Sequence, residues 1–361
     1  MPFELIRNDI TLVKADAIVN SANPEPVVGR GTDSSIYNAA GYEKLLAERK
    51  KIGAISPGEA AVTKAFDLKA KFIIHTVGPV WTDGEHGELE TLASCYRKCM
   101  RLAEQLGCTS IAFPLISTGV YGFPKDKALE IALREIETFL MDTEDFNVIL
   151  VVYDRSSYEI SSSLNFNVRS FISDRMVESK ASDYINEKAA SSYQRRESFR
   201  PSSSLLFPQH KKQEKADYME EAAMPDVPVS SAMPLGSISS EFSVEDVLRK
   251  KSETFQEKLL SLIDERGMSD PEVYKKANMD RKLFSKIRSN PDYVPKKRTV
   301  FALAVSLKLD YPETADLLAR AGYAFSPANA TDLIIEYCIR HEIFNIMDIN
   351  AILFEYDQSL L

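Results

Sequence analysis

The stretch that decides the fold is Ile18–Gly41, IVNSANPEPVVGRGTDSSIYNAAG. It begins as an apolar run typical of a buried strand. It breaks at Pro24 into a loop carrying Gly29 and Gly31, and restarts with helical spacing near Asp33. Two asparagines (Asn20, Asn23), two glycines and an aspartate lie before the helix is under way. Glycines at the carboxyl end of a strand let backbone N–H groups approach an anion, and the helix N-terminus that follows adds a favourable dipole. The stretch therefore reads as a loop holding the far end of a small anionic ligand.

Working outward, AIVNSA, KFIIHTVG, SIAFPLIS and FNVILVVYD are apolar runs of the kind buried on both sheet faces. Between them, SSIYNAAGYEKLLAERK, ELETLASCYRKCMRLAEQLG and PKDKALEIALREIETFLMD carry apolar residues at three- and four-residue spacing. Strands alternating with helices predict a layered α/β domain, closed by helices in SSYEISSSL and VRSFISDRMVES and ending near residue 180. Residues 181–242 are rich in Ser, Pro and charge, a composition that buries too little apolar surface to order itself and reads as a flexible linker. From 243 to 361 the pattern is helical, with a Gly267 stop and a Ser269 cap, and predicts an all-α domain.

The chain has 361 residues, 44% hydrophobic and 27% charged, with a net charge of −9. That charge argues against wholesale coating of nucleic acid. Residues 270–300 nevertheless carry nine Lys/Arg against four Asp/Glu, and residues 301–361 carry three against nine. No apolar run is long enough to span a bilayer, and the first residues show no secretory pattern, so no membrane partner is expected. Cys95, Cys99, Cys108 and Cys338 form no CxxC pair, and Cys95 and Cys99 share a helix face as core thiols, which fits a reducing cytoplasm. His75 reads as a hydrogen-bonded core histidine. His86, His210 and His341 show no partner spacing for a metal, so neither metal nor cofactor is expected.

A second loop, FPLISTGVYGFPKDKA, leaves the strand SIAFPLI and enters a helix near Pro124. It offers Ser117, Thr118, Gly119 and Gly122 for close backbone contacts, and proline suits a first helical turn. On spacing alone, the two loops are either ordinary strand-to-helix turns or a clasp around a diphosphate.

Residues 1 to about 180 resemble a macrodomain, the ADP-ribose-binding fold, through RNDIT, DAIVNSAN, GRGTDSSIYNAAG, HTVGP and STGVYGFP in order. The resemblance implies a three-layer α/β/α domain with a mixed sheet. It implies that Asp9, with the Ile10 amide beside it, meets the adenine, which Tyr153 flanks. Asn23 would bind the distal ribose, and Gly29 and Gly31 would bring the first loop against ribose and diphosphate. Ser117, Thr118, Gly119, Val120 and Tyr121 would form the diphosphate loop. Asp33 stands where hydrolytic members of the MacroD type carry an aspartate that orients the attacking water, which makes Asn23 and Asp33 the catalytic pair; Asp33 also reads as a helix N-cap. The sequence departs from that type in two ways: VVGRGTD replaces a longer glycine run, and Tyr37 stands where histidine is common. Two readings follow: an enzyme that removes ADP-ribose from a modified macromolecule or deacylates O-acyl-ADP-ribose, and a non-catalytic reader that signals ADP-ribose occupancy to the helical domain.

Residues 255–323 resemble a helix-turn-helix domain of the lambda-repressor-like type, with DRKLFSKIRSN as recognition helix and Arg281, Lys282, Lys286 and Arg288 on it. The resemblance implies a DNA partner; reuse of the same geometry as a plain bundle implies a protein partner instead. The glycine common in the turn is replaced around KKANMD.

Overall fold

The computed structural model describes residues 2–153, 160, 164–175 and 253–361. The predicted linker, His210 and most of SSYEISSSL lie outside the described residues. Six strands form one mixed sheet: β1 (Phe3–Arg7), β2 (Ala17–Ser21), β3 (Ala60–Lys64), β4 (Phe72–Thr76), β5 (Ser110–Pro114) and β6 (Asn147–Val152). Their spatial order is β1-β6-β5-β2-β4-β3, parallel throughout except for β3, which runs antiparallel to β4. Short apolar strands joined by helices make this arrangement, because a parallel connection needs a crossover long enough to hold a helix.

The two-residue period of a strand assigns the layers. Ile18, Ile73, Ala112, Ile149 and Val151 face one side, where α1 (Thr32–Ala40) and α2 (Tyr42–Ile52) bury Ile36, Tyr37, Ala40 and Leu45. Ala17, Val19, Ile74, Ile111, Phe113, Val148 and Leu150 face the other, against α3 (Glu88–Gln105) and α4 (Lys125–Asp142). Cys95, Cys99 and Cys108 are free and buried in this second layer.

A further helix, α5, covers 164–175. Seven more follow: α6 (Phe255–Glu265), α7 (Asp270–Lys276), α8 (Arg281–Ser289), α9 (Lys297–Ser306), α10 (Tyr311–Arg320), α11 (Ala330–Arg340) and α12 (Ile346–Glu355). Local chemistry sets their starts. Thr254 and Glu257 cap α6 reciprocally, Asp310 and Glu313 cap α10, and the Asp280 carboxylate accepts from the Leu283 N–H at 3.0 Å. The turn between α7 and α8 is made by Asn278, whose φ is +49°. Asparagine is the residue after glycine that tolerates this left-handed conformation, which is how KKANMD turns without one.

The described residues on either side of 180–252 pack as one compact unit. Asn278 is fully buried at the join. Its side chain accepts from Phe3 N (2.9 Å) and donates to Phe3 O (3.1 Å) and Leu361 O (3.3 Å). It thereby pairs with the edge strand β1 as a neighbouring strand would. Tyr274 donates to Glu144 at 3.2 Å, Lys275 to Met141 O at 2.8 Å and Asn345 to Glu137 at 2.7 Å. Arg7, at the end of β1, is paired with Asp357 at 2.9 Å and lies over the Phe354 ring.

Candidate functional site

Four of the five parallel strands, β1, β6, β5 and β2, end on the same edge of the sheet beside a cleft of about 890 Å³. This is where open α/β sheets place ligands. The residues to which the resemblance assigns a ligand role line it, namely Asp9, Ile10, Asn23, Gly29, Gly31, Asp33, Ser117, Thr118, Gly119, Val120, Tyr121 and Tyr153, whereas Gly122 lies outside that lining.

At one end, Asp9 caps a short helical turn, its Oδ1 accepting from the N–H (2.9 Å) and hydroxyl (2.8 Å) of Thr11. Tyr153, just past β6, is 72% exposed and lines the cleft.

At the other end lies the β2–α1 loop. Asp33 is buried, with Oδ2 accepting from the Gly29 N–H (2.5 Å) and Oδ1 from Asn20 Nδ2 (2.6 Å). Gly31 takes the N-cap position with φ +64°, and Asp33 is the second helical residue, so it is not an N-cap. Its carboxylate reaches back into the loop instead. Burial raises the Asp33 pKa, opposed by the bonds from Asn20 and Gly29 and by the Arg49 charge. The same burial, with Asp33 nearby, pushes the Tyr37 phenol up to about 12. Asn23 folds over the loop, donating to Val27 O at 2.9 Å, and Gly29 packs so tightly below it that a Cβ there would lie 3.1 Å from Asn23 Nδ2. Arg30 is exposed and lies on the cleft lining between the two glycines.

The β5–α4 loop forms the facing wall. Ser117 holds φ +65°, a strained conformation for a non-glycine residue, and its buried hydroxyl has no hydrogen-bond partner among the described residues. The loop is closed by Phe123 N to Ser117 O and Gly122 N to Gly119 O, both 3.0 Å. Val120 is 82% exposed at its tip. Tyr121 joins the two walls, its hydroxyl 3.4 Å from Asn23 Oδ1. Backbone N–H groups in such a loop, with the start of α4 beyond, suit an anion.

Several residues that sequence reasoning missed support this site. Arg49 is fully buried and donates to the carbonyls of Asn23 (3.2 Å), Pro24 (2.9 Å) and Gly53, holding the loop from below. Asn20 and His75, both fully buried, meet at 3.1 Å, and His75 meets Thr63 at 3.0 Å. Burial and the Arg49 charge depress the His75 pKa to about 3, so the ring is neutral. The signal for Asn20 was available: it shares strand parity with Ile18, so it faces α1 as a polar group in an apolar layer. Arg49 gave no signal, because it sits in an ordinary charged helix, AERKK.

His86 corrects the sequence reading in one respect. Asp83, His86 and Glu88 bring ligand atoms within 4.8 Å of one another. Glu88 is already engaged by the N–H groups of Thr82 (3.2 Å), Gly84 (3.3 Å) and His86 (2.7 Å), so the trio is explained as a loop cap.

Comparison with known proteins agrees with this architecture. Residues 19–132 match the Macro domain family. A macro domain-containing protein of Chlorobaculum tepidum is 47% identical over 145 residues, covering 40% of this chain and 84% of that protein. An O-acetyl-ADP-ribose deacetylase of Klebsiella pneumoniae is 45% identical over 162 residues, 44% of this chain and 92% of that one. Among solved structures, the Oceanobacillus iheyensis macrodomain with ADP is 36% identical with a TM-score of 0.42, covering 46% of this chain and 92% of that chain. The chain belongs to the macro domain family.

Proposed function

We propose that this chain binds ADP-ribose in the cleft and hydrolyses the ester of O-acyl-ADP-ribose or the equivalent linkage of a mono-ADP-ribosylated macromolecule. The observation carrying this reading is the Asp33 carboxylate, buried in the wall beside Asn23 and held at both oxygens. Adenine would lie between Asp9, the Ile10 amide and Tyr153. The diphosphate would lie along Gly29, Gly31 and the loop from Ser117 to Tyr121, and the distal ribose against Asn23 and Tyr121. The Klebsiella relative's name supports the ester as substrate.

In the proposed reaction, a water accepted by Asp33 attacks the acyl carbon. Its proton passes to Asp33, the bond from acyl carbon to ribose oxygen breaks, and the ribose oxygen leaves protonated while Asp33 is regenerated. The carboxylate acts as general base and Asn23 fixes the ribose without adding a competing charge. Tyr37, buried one turn after Asp33 with its phenol pushed up to about 12, stays protonated beside the carboxylate.

The test is turnover of O-acetyl-ADP-ribose and of a mono-ADP-ribosylated protein by the parent and Asp33→Ala. Loss of turnover in Asp33→Ala with ADP-ribose binding retained supports the reading. Tight binding with neither substrate consumed by the parent overturns it and leaves the reader. One contact favours that second reading: Arg7, two residues before Asp9, is paired with Asp357 in the helical region.

For the helical residues, we read 253–361 as a bundle docked on its own α/β domain rather than a reader of DNA. The cations of α8 are largely engaged within the chain: Arg281 lies 3.8 Å from Glu144, Arg288 is paired with Asp270, and Lys286 lies over the Tyr293 ring.

A further inference from the structure

We infer that Asn20 is a positioning residue that fixes the Asp33 carboxylate, and that His75 and Thr63 exist behind it to fix Asn20. The inference rests on the reading of Asp33 as the group that orients water.

The geometry leaves one assignment of protons. Asn20 lies 2.6 Å from Asp33 Oδ1, a contact the amide can make only through Nδ2, since its oxygen would face a carboxylate oxygen. The same nitrogen lies 3.1 Å from His75 Nδ1, so Nδ1 accepts and the ring proton sits on Nε2, donating to Thr63 Oγ1 at 3.0 Å. Both amide protons are thus given away, while Asn20 Oδ1 is buried with no hydrogen-bond partner among the described residues. An amide placed for stability alone would not leave an acceptor stranded. This one forgoes it to donate to Asp33.

The chain Thr63–His75–Asn20–Asp33 crosses from strand β3 through β4 and β2 to α1, with its two middle members sealed from solvent and Asp33 at the cleft. Each member lies on a different element, so Asp33 Oδ1 is held from the sheet while Oδ2 is held by the Gly29 N–H of the loop. The titratable groups facing Asp33 are Arg49 from α2, Tyr37 from α1 and Tyr121 from the β5–α4 loop, with neutral His75 behind Asn20. Arg49 favours the ionised carboxylate. Removing the Asn20 donor therefore shifts the Asp33 titration upward.

The experiment uses the full chain with Asn20→Leu, Asn20→Asp, His75→Leu and His75→Gln. The Asp33 carboxyl carbon is titrated by NMR, assigned through Asp33→Asn. ADP-ribose binding is measured by calorimetry, and kcat on O-acetyl-ADP-ribose is followed against pH. In Asn20→Leu the Asp33 titration and the acid limb of kcat both move to higher pH. There kcat at pH 6 falls about tenfold or more, and ADP-ribose affinity changes about threefold or less. In Asn20→Asp the second carboxylate moves both further. His75→Leu moves them the same way by less, and His75→Gln, which can accept from Asn20 and donate to Thr63, restores most of that loss. An Asp33 titration unmoved in Asn20→Leu overturns the inference; should that variant fail to fold, an unmoved titration in His75→Leu does so. If Asp33 moves as stated but the parent turns over no substrate, the positioning role stands and the hydrolytic reading falls.

Discussion

The Gly29 N–H donates to Asp33 Oδ2 at 2.5 Å, so the loop that must bend around a ligand is tied to a residue of the following helix. Gly29 carries no Cβ because there is no room for one: it would lie 3.1 Å from Asn23 Nδ2 and 3.2 Å from Asp33 Oδ2. Gly29→Ala therefore displaces both side chains by a few tenths of an ångström. The expected outcome is about a tenfold loss of ADP-ribose affinity by calorimetry with a fall in Tm of only a few degrees.

A second close approach lies behind the facing loop. A Cβ on Gly78 would meet Ser117 Oγ at 2.0 Å and Ile116 Cγ2 at 2.8 Å. Gly78→Ala has to move the strained Ser117 turn, and is expected to cost about 1–3 kcal/mol in urea unfolding and to weaken ADP-ribose binding together with it. Unchanged affinity would separate Ser117 from the binding site.

His75 gives the protein a pH signature. Its pKa is about 3 when folded against an ordinary 6.5, so below pH 6.5 the unfolded chain takes up a proton that the folded chain refuses. Stability is then lost as pH falls from about 6.5 towards 3, by up to about 1.4 kcal/mol per pH unit from this group. In His75→Gln, unfolding free energies at pH 4.5 and 7 should differ less than in the parent by about this slope.

Asn278 joins the helical region to the sheet edge through two hydrogen bonds with Phe3 and holds the Leu361 carbonyl with a third. Asn278→Gly keeps the left-handed turn but strands the buried N–H of Phe3. A loss of about 1–3 kcal/mol is expected, with faster amide exchange at Phe3 than at strand β5.

The engaged cations of α8 carry a prediction for nucleic acid. Anisotropy of a random duplex titrated with the full chain should give no binding whose logarithm falls with the logarithm of salt. A steep slope that flattens in Lys282→Ala would restore the DNA reading.

The fold was legible because its determinants are local. Apolar strands, amphipathic helices and capping pairs such as Thr254 and Glu257 announce themselves within a few residues. The lining of the cleft was legible through Asn23, Asp33 and the STGVYG loop only by their resemblance to macrodomain motifs, since spacing alone left ordinary strand-to-helix turns open. What stayed hidden is whatever depends on long-range apposition. Arg49 reaches carbonyls some 25 residues back along the chain. His75 is set by its neighbours on β2 and β3. The docking of the α7–α8 turn onto β1 joins positions 275 residues apart, and no periodicity encodes that.

Strand β1 sits at the outer margin of the sheet, and its first residue is hydrogen-bonded by a side chain from the far half of the sequence. A fragment cut after the α/β half would therefore carry a raw flank, inviting pairing with a second molecule. Ligand measurements made on such a fragment would describe a differently finished protein, with the tether from Arg7 near the cleft already severed.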